Sequence, residues 1–196
     1  MTDAPTKKLT REERMALDAA DWMETINGEY QLEDEVGAAT FLHLIVIDNV
    51  YNLLRPLVRE RKLGRVVGDG LTFALGLDDD GKPVEHIPDC AFIRRGRLPK
   101  DFDPSQPFPG APDLAVEVIS PGQTVDKLQY KVNNYLKFGS EQVWVIHPIL
   151  VELHQYRRDM PGYVRVFRND ESVDVEAMFQ GLSLNVAQLL IIEEDE

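Results

Sequence analysis

The chain is poor in cysteine, in long apolar runs and in positive charge, and each shortage excludes something. A single cysteine, Cys90, among 196 residues rules out an internal disulfide and any zinc cluster built on thiolates. The longest apolar stretch, Phe41 to Ile47, is broken by His43 and is far too short to span a bilayer, so no membrane association is expected. No apolar run follows the lysines of Met1-Thr-Asp-Ala-Pro-Thr-Lys-Lys8; no secretory signal is read there, and a cytoplasmic location is expected. With 21 Lys and Arg against 34 Asp and Glu, the formal net charge is −13. That argues against a protein that coats DNA, because counterion release needs basic side chains at the phosphates. The deficit is uneven, however. From Arg55 to Lys100 there are ten basic residues against seven acidic ones, which leaves room for a locally basic groove.

What the chain does have is a hydrophobic content of 43% with 28% charged residues, enough for one globular α/β domain over residues 1–196. The expected parts are an N-terminal helix and hairpin (10–35), a core (38–157), and a C-terminal hairpin and short helix (158–196). Thr10-Arg-Glu-Glu13 is a capping box for a helix reaching Asp21, and Asn27-Gly28 suits a tight hairpin turn between Met23–Ile26 and Glu29–Leu32. The longest helix is predicted from Phe41 to Lys62, ended by Gly64. Strands are predicted at Arg65–Val67, Leu71–Leu77 and Val84–Arg94, then an ordered loop with five prolines from Gly96 to Pro112. A β-α-β unit follows: Leu114–Ile119, a helix over Val125–Phe138, and Gln142–Ile146, its two strands parallel. Val151–Arg157 and Tyr163–Phe167 read as a closing hairpin, and Asn185 as the cap of a last short helix.

Two of these strands carry a carboxylate among apolar neighbours: Asp89 in His86-Ile-Pro-Asp-Cys-Ala-Phe-Ile93, and Glu117 in Pro112-Asp-Leu-Ala-Val-Glu-Val-Ile-Ser-Pro121. Burying a lone charge in a sheet costs several kcal/mol. Two such residues suggest a shared cation, most simply a divalent metal bound through oxygen, with the Val118 carbonyl and waters completing the shell. The residues alone also allow another arrangement, with Asp89 capping a turn and Glu117 paired with a buried arginine. Strand alternation puts Asp113, Ala115 and Glu117 on one face and Leu114, Val116 and Val118 on the other. On the following helix, Lys131 and Tyr135 share a face, and a lysine there could reach an attacking water or a phosphate; a surface lysine near Asp126 is the alternative.

These elements in this order resemble the PD-(D/E)XK nuclease superfamily and, more closely, the restriction-endonuclease-like proteins of the Uma-two family. The matching set is Glu24-Thr-Ile-Asn-Gly-Glu29, His43 in the long helix, Ile87-Pro-Asp89-Cys-Ala-Phe-Ile93, and Leu114-Ala-Val-Glu117-Val-Ile-Ser-Pro121. Asp126 with Lys131 and Tyr135, then Val143-Trp-Val-Ile-His-Pro148, complete it, so that the resemblance runs from about Leu9 to Tyr156. It implies a restriction-endonuclease-like fold, a mixed β-sheet flanked by helices, with a Mg²⁺ (or Mn²⁺) site at Asp89 and Glu117. It further implies hydrolysis of DNA phosphodiesters, further acidic members at Glu24 or Glu29, and action as a homodimer. The chain departs from the superfamily pattern in one place: Ile119 stands where the lysine should follow the strand acid, and the resemblance implies a lysine on the helix instead, Lys127 or Lys131, of which Lys131 fits better.

The remaining polar residues read as structural. His43, His86, His147 and His154 lack a zinc spacing, though His43 lies on a helix that should back the site. Cys90 reads as a small core residue, and Trp144 and Tyr156 as packing. Ser120-Pro121-Gly122 is a strand-to-helix turn whose N–H groups could touch a phosphate. The rival function is a relative of the same fold that binds without cutting, an acidic regulatory or interaction module, which the net charge favours.

Overall fold

The computed structural model describes residues 23–26, 29–32, 40–120 and 123–192, with the side chains of 23–26 and 29–32 outside that description. The predicted helix over 10–21 and the Asn27-Gly28 turn therefore lie outside the described residues. Strands β1 (Met23–Ile26) and β2 (Glu29–Leu32) pair antiparallel with Ile26 opposite Glu29, as a two-residue hairpin requires, and β1 runs against β5 (Pro83–His86).

Helix α1 covers Phe41–Glu60. Thr40 caps it, its hydroxyl accepting from the His43 N–H at 3.2 Å, and Val46, Val50, Leu54 and Val58 make a buried stripe one turn apart. By length and composition α1 is also apolar enough to cross a bilayer, which the short run Phe41–Ile47 did not suggest. Its stripe is packed on the main sheet, as in a core helix. The predicted end at Gly64 falls differently. Lys62 takes the left-handed turn (φ 54°), and Gly64 opens β3 (Gly64–Gly68), where a Cβ would sit 1.9 Å from the Ile93 carbonyl oxygen.

The predicted continuous strand Val84–Arg94 is broken in two. Its first half is β5, which pairs with β4 (Phe73–Leu77) in a three-stranded sheet of order β5-β4-β7. Its second half, β6 (Cys90–Arg94), joins a six-stranded sheet in which the order is β11 (Val164–Arg168), β10 (Glu152–Arg157), β9 (Gln142–His147), β8 (Leu114–Val118), β6 and β3. The break falls at Ile87-Pro88-Asp89, where proline has no N–H for a ladder. The proline-rich segment likewise holds a short strand that sequence did not show, β7 (Phe108–Pro109), parallel to β4.

In the large sheet, β8 (Leu114–Val118) lies parallel to β9 (Gln142–His147), joined by α2 (Val125–Lys137), while β10 (Glu152–Arg157) and β11 (Val164–Arg168) close the edge antiparallel. Near the C-terminus, Asn185 Oδ1 accepts from the Gln188 N–H at 3.0 Å and opens a 3-10 turn over Ala187–Leu190. Alternation along β8 is as the sequence implies. Leu114, Val116 and Val118 face α1 and the C-terminal segment, with Trp144 and Phe179; Ala115 faces α2 and the small sheet, with Val132, Tyr135 and Phe73. Each face of the sheet thus has its own apolar layer.

The end of the sheet where β8 and β9 begin is tied by charge. Arg94 forms a two-pronged pair with Glu141 (3.0 and 2.7 Å), and Asp113 accepts from the Arg94 backbone N–H at 2.7 Å and from Arg97 at 3.0 Å. The basic stretch noted in the sequence largely gathers here and at the C-terminal end of α1, remote from Asp89.

His86, at the end of β5, is fully buried against α2, with Nε2 3.1 Å from Asn134 Nδ2 and the rings of Tyr130 and Tyr135 edge-on. Burial, reinforced by the Lys131 ammonium, pushes its pKa from 6.5 down to about 3. The unfolded chain therefore binds a proton that the folded chain refuses between those values. The contribution to stability is complete above the unfolded pKa and is lost as pH falls toward the folded one, at roughly 1.4 kcal/mol per pH unit. In urea unfolding from neutral pH into the acid range, wild type should lose stability more steeply than His86→Gln. Parallel pH profiles would show that His86 is not held neutral.

Candidate active site

Both strand carboxylates lie at one end of the large sheet. The pairing of β6 with β8 sets Cys90 opposite Val116, so Val118 falls opposite Pro88, just beyond the ladder. There the Asp89 side chain takes over: its Oδ2 accepts the Val118 N–H at 2.5 Å. Asp89 thus supplies a side-chain acceptor for an N–H that lies beyond the end of the β6–β8 ladder. Its other oxygen, Oδ1, faces His43 Nε2 at 3.5 Å.

Glu117, one residue before Val118 on β8, points to the face opposite that of the Val118 side chain and is only 2% exposed. Its Oε2 is 2.8 Å from Lys131 Nζ, and its Oε1 accepts from the Tyr135 hydroxyl at 2.8 Å. Helix α2 supplies both partners from successive turns, starting at Thr124, whose hydroxyl accepts from the Lys127 N–H. The lysine that reaches Glu117 is Lys131. It also donates to the Ile87 carbonyl at 3.3 Å, which ties the helix to the Ile-Pro-Asp segment. The alternative in which Glu117 pairs with a buried arginine gives way to a buried lysine, and Lys131, 8% exposed, is no surface residue.

A buried ion pair contributes little net stability, because desolvating each charge costs several kcal/mol. Packing alone therefore gives no reason to keep one here. The structure does not assemble a closed metal cage: among the described residues, no group of three or more His, Cys, Asp and Glu side chains is placed to hold an ion. Two carboxylates beside a strand end fit a hard cation such as Mg²⁺, which keeps most of its waters and takes only one or two protein carboxylates. The Val118 carbonyl, at the last position of β8, remains the backbone candidate. Glu24 and Glu29 lie on the hairpin beside β5, and their side chains are outside the described residues.

Asp69 is a residue that the sequence reading missed. It follows β3, whose Gly68 pairs with Cys90, so continuing the register sets Asp69 across from Asp89. Partial burial and then the Asp89 charge raise its pKa, while His43 and Lys131 act to lower it, so it shares the field of the site. The Gly68-Asp-Gly70 turn offers no signal of its own; only the pairing of β3 with β6 reveals the position. For His43, burial lowers the pKa, but the Asp89 carboxylate and, more weakly, Asp69 outweigh it, and the net shift is upward.

The other polar candidates settle into structural places. The Cys90 thiol is fully buried and its pKa is pushed up to about 12, chiefly by burial, so it is no nucleophile at neutral pH. His147 and His154 stack on neighbouring strands with centroids 4.2 Å apart, and His154 Nε2 lies 2.9 Å from Glu152. Trp144 is buried, and Tyr156 is half-buried against the α2-side core. The Ser120 hydroxyl, read from sequence as part of a phosphate-touching turn, is 2.9 Å from His43 Nδ1.

Comparison with solved structures finds a crystal structure described as "a putative nuclease belonging to DUF820" from Anabaena variabilis. It aligns at a TM-score of 0.72 and 21% identity over 93% of this chain and 98% of that one. At that identity the likeness establishes the fold, a mixed α/β nuclease-like architecture. The comparison with curated proteins finds no match. The sequence model of the Uma2 family, described as "Putative restriction endonuclease", matches residues 14–187, most of the chain and all of the site. The chain belongs to the Uma2 family of restriction-endonuclease-like proteins.

Proposed function

We propose that this chain is a divalent-metal-dependent endonuclease that hydrolyses phosphodiester bonds in DNA. The observation that carries the reading is the buried Glu117–Lys131–Tyr135 cluster one residue from the Val118–Asp89 hydrogen bond. Asp89 and Glu117 would hold Mg²⁺ or Mn²⁺, with the Val118 carbonyl as a further oxygen. Such a cation, when bound, lowers the pKa of a water and neutralises charge on the phosphoryl oxygens.

The chain's own groups do the rest. The Tyr135 hydroxyl and Lys131 ammonium fix both oxygens of Glu117. Lys131 also places a positive charge where charge builds up on the phosphate in the transition state. Glu24 or Glu29, on the N-terminal hairpin, would supply a further carboxylate. A homodimer would set two such centres against two strands, and a cytoplasmic location suits a nuclease acting on DNA there.

One observation favours the rival reading of an acidic binding module. Arg94, Arg97, Arg157, Arg165 and Arg168 all sit on carboxylates, so much of the positive charge is neutralised within the chain. The nuclease reading accommodates this if contact with DNA rests on few phosphates. Against the rival stands the buried lysine–carboxylate pair, for which a binding surface has no use.

Supercoiled plasmid and short single-stranded and branched DNA, incubated with Mn²⁺ or Mg²⁺, test the two readings. Cleavage by wild type, and its loss in Asp89→Ala and Glu117→Ala, is the expected result; cleavage surviving in either variant would overturn the site. Metal at a hundredfold excess over its Kd should stabilise wild type by about 2.7 kcal/mol in a thermal melt and neither variant comparably. A flat response in wild type, without cutting, favours the binding module.

Lys131→Met alone should cost roughly 3–5 kcal/mol in urea unfolding, because it leaves the Glu117 charge buried without the ammonium beside it. Adding Glu117→Gln should recover most of that loss while cleavage stays absent. Equal stability of the single and double variants would show that the pair is not desolvated.

A further inference from the structure

His43 stands on the other side of Asp89 from the lysine. It is 8% exposed, sits in the first turn of α1, and bridges three elements: Thr40 holds its backbone N–H, Nδ1 is 2.9 Å from Ser120 Oγ just past β8, and Nε2 faces Asp89 Oδ1 at 3.5 Å. We propose that His43 and Ser120 form a positioning pair that sets the orientation of the Asp89 carboxylate and thereby the affinity of the site for its divalent cation. The inference rests on the metal-dependent reading above.

The logic follows from counting donors. A backbone N–H reaches Oδ2 of Asp89 from within the sheet, which fixes one oxygen but leaves the carboxylate free to swing about it. A second donor on Oδ1 removes that freedom. A neutral imidazole can donate from Nε2 only if Nδ1 is the acceptor, and a serine hydroxyl is able to donate to Nδ1. The Asp89 carboxylate, which only accepts, favours the tautomer with its N–H on Nε2, and the Ser120 hydroxyl then donates to the Nδ1 left bare. His43 cannot swing away, because Thr40 fixes its backbone and the ring is packed between α1 and the end of β8. Outer groups of this kind typically change metal affinity by about 10–100-fold when removed.

Two amide replacements separate the two ring nitrogens. Glutamine places its amide near the Nε2 position and keeps a donor for Asp89; asparagine reaches only the Nδ1 side and keeps Ser120 alone. Mn²⁺ binding followed by electron paramagnetic resonance, with cleavage measured as a function of metal concentration, is the experiment. Each variant is first checked for folding by a thermal melt without metal.

His43→Asn is expected to weaken Mn²⁺ binding by about 10–100-fold and to raise the metal concentration needed for half-maximal cleavage, with the rate at saturating metal largely kept. His43→Gln should restore most of that affinity. Ser120→Ala, which removes one half-buried oxygen and leaves the core alone, should fall between them.

A packing role would make asparagine and glutamine equally harmful, and that result overturns the proposal. So would nitrogen coupling in the spectrum of bound Mn²⁺, which would make His43 a ligand. Variants that bind like a metal-binding wild type overturn the positioning role alone. A wild type that binds no Mn²⁺ overturns the metal reading and the positioning role with it.

Discussion

The site depends on the interruption of the strand at Pro88. At Ile87-Pro88-Asp89 the chain leaves the small sheet and enters the large one, and the ladder between β6 and β8 stops at Cys90 opposite Val116. The next Val118 N–H would be orphaned, and Asp89 satisfies it with a side-chain oxygen. A carboxylate is thus fixed at a sheet end by the same interruption that lets β5 diverge into another layer. His86, Ile87 and Asp89 then meet different elements in turn: Asn134 and the α2 aromatics, Lys131, and His43 with Val118. A short stretch of sequence couples both helices to the strand that carries Glu117.

The two ends of the large sheet treat charge differently. At one end Arg94, Arg97, Asp113 and Glu141 form partly exposed, geometrically regular pairs that tie strand starts together. At the other, carboxylates meet a buried lysine, a tyrosine hydroxyl and a histidine, in surroundings where an unmatched charge is costly. Pro112-Asp113 and Pro88-Asp89 are the same dipeptide, yet one belongs to the tying network and the other to the site. Their difference lies in their neighbours: Arg94 and Arg97, at and just after the end of β6, for Asp113, and His43 of α1 for Asp89.

Much of this was legible in the sequence because it is local. Alternation in Leu114–Val118, the spacing of Lys131 and Tyr135 on one helix face, and the isolated carboxylates at 89 and 117 all declare themselves within a few residues. What was not legible depends on pairing between distant segments. Val84–Arg94 reads as one strand because its apolar pattern continues through the proline, while the switch of sheet depends on where β4 and β8 lie. Asp69 enters the field of the site only through the register of β3 on β6, and the basic stretch proved remote from the site for the same reason. The link between Ser120 and His43 spans 77 residues, and no spacing rule reaches that far.

Because Asp89 and Glu117 sit just past the last rung between β6 and β8, the chain's tolerance to changes in length is uneven. A single residue inserted between Cys90 and Arg94 or between Leu114 and Val118 would turn a carboxylate to the wrong face, since strand faces alternate with every residue. The same insertion in the proline-rich connection between β6 and β8, or in the turn between β10 and β11, would leave both carboxylates where they are. Lineages carrying this fold can therefore vary in loop size while the distance in sequence from Asp89 to the end of β6, and from the start of β8 to Glu117, stays fixed.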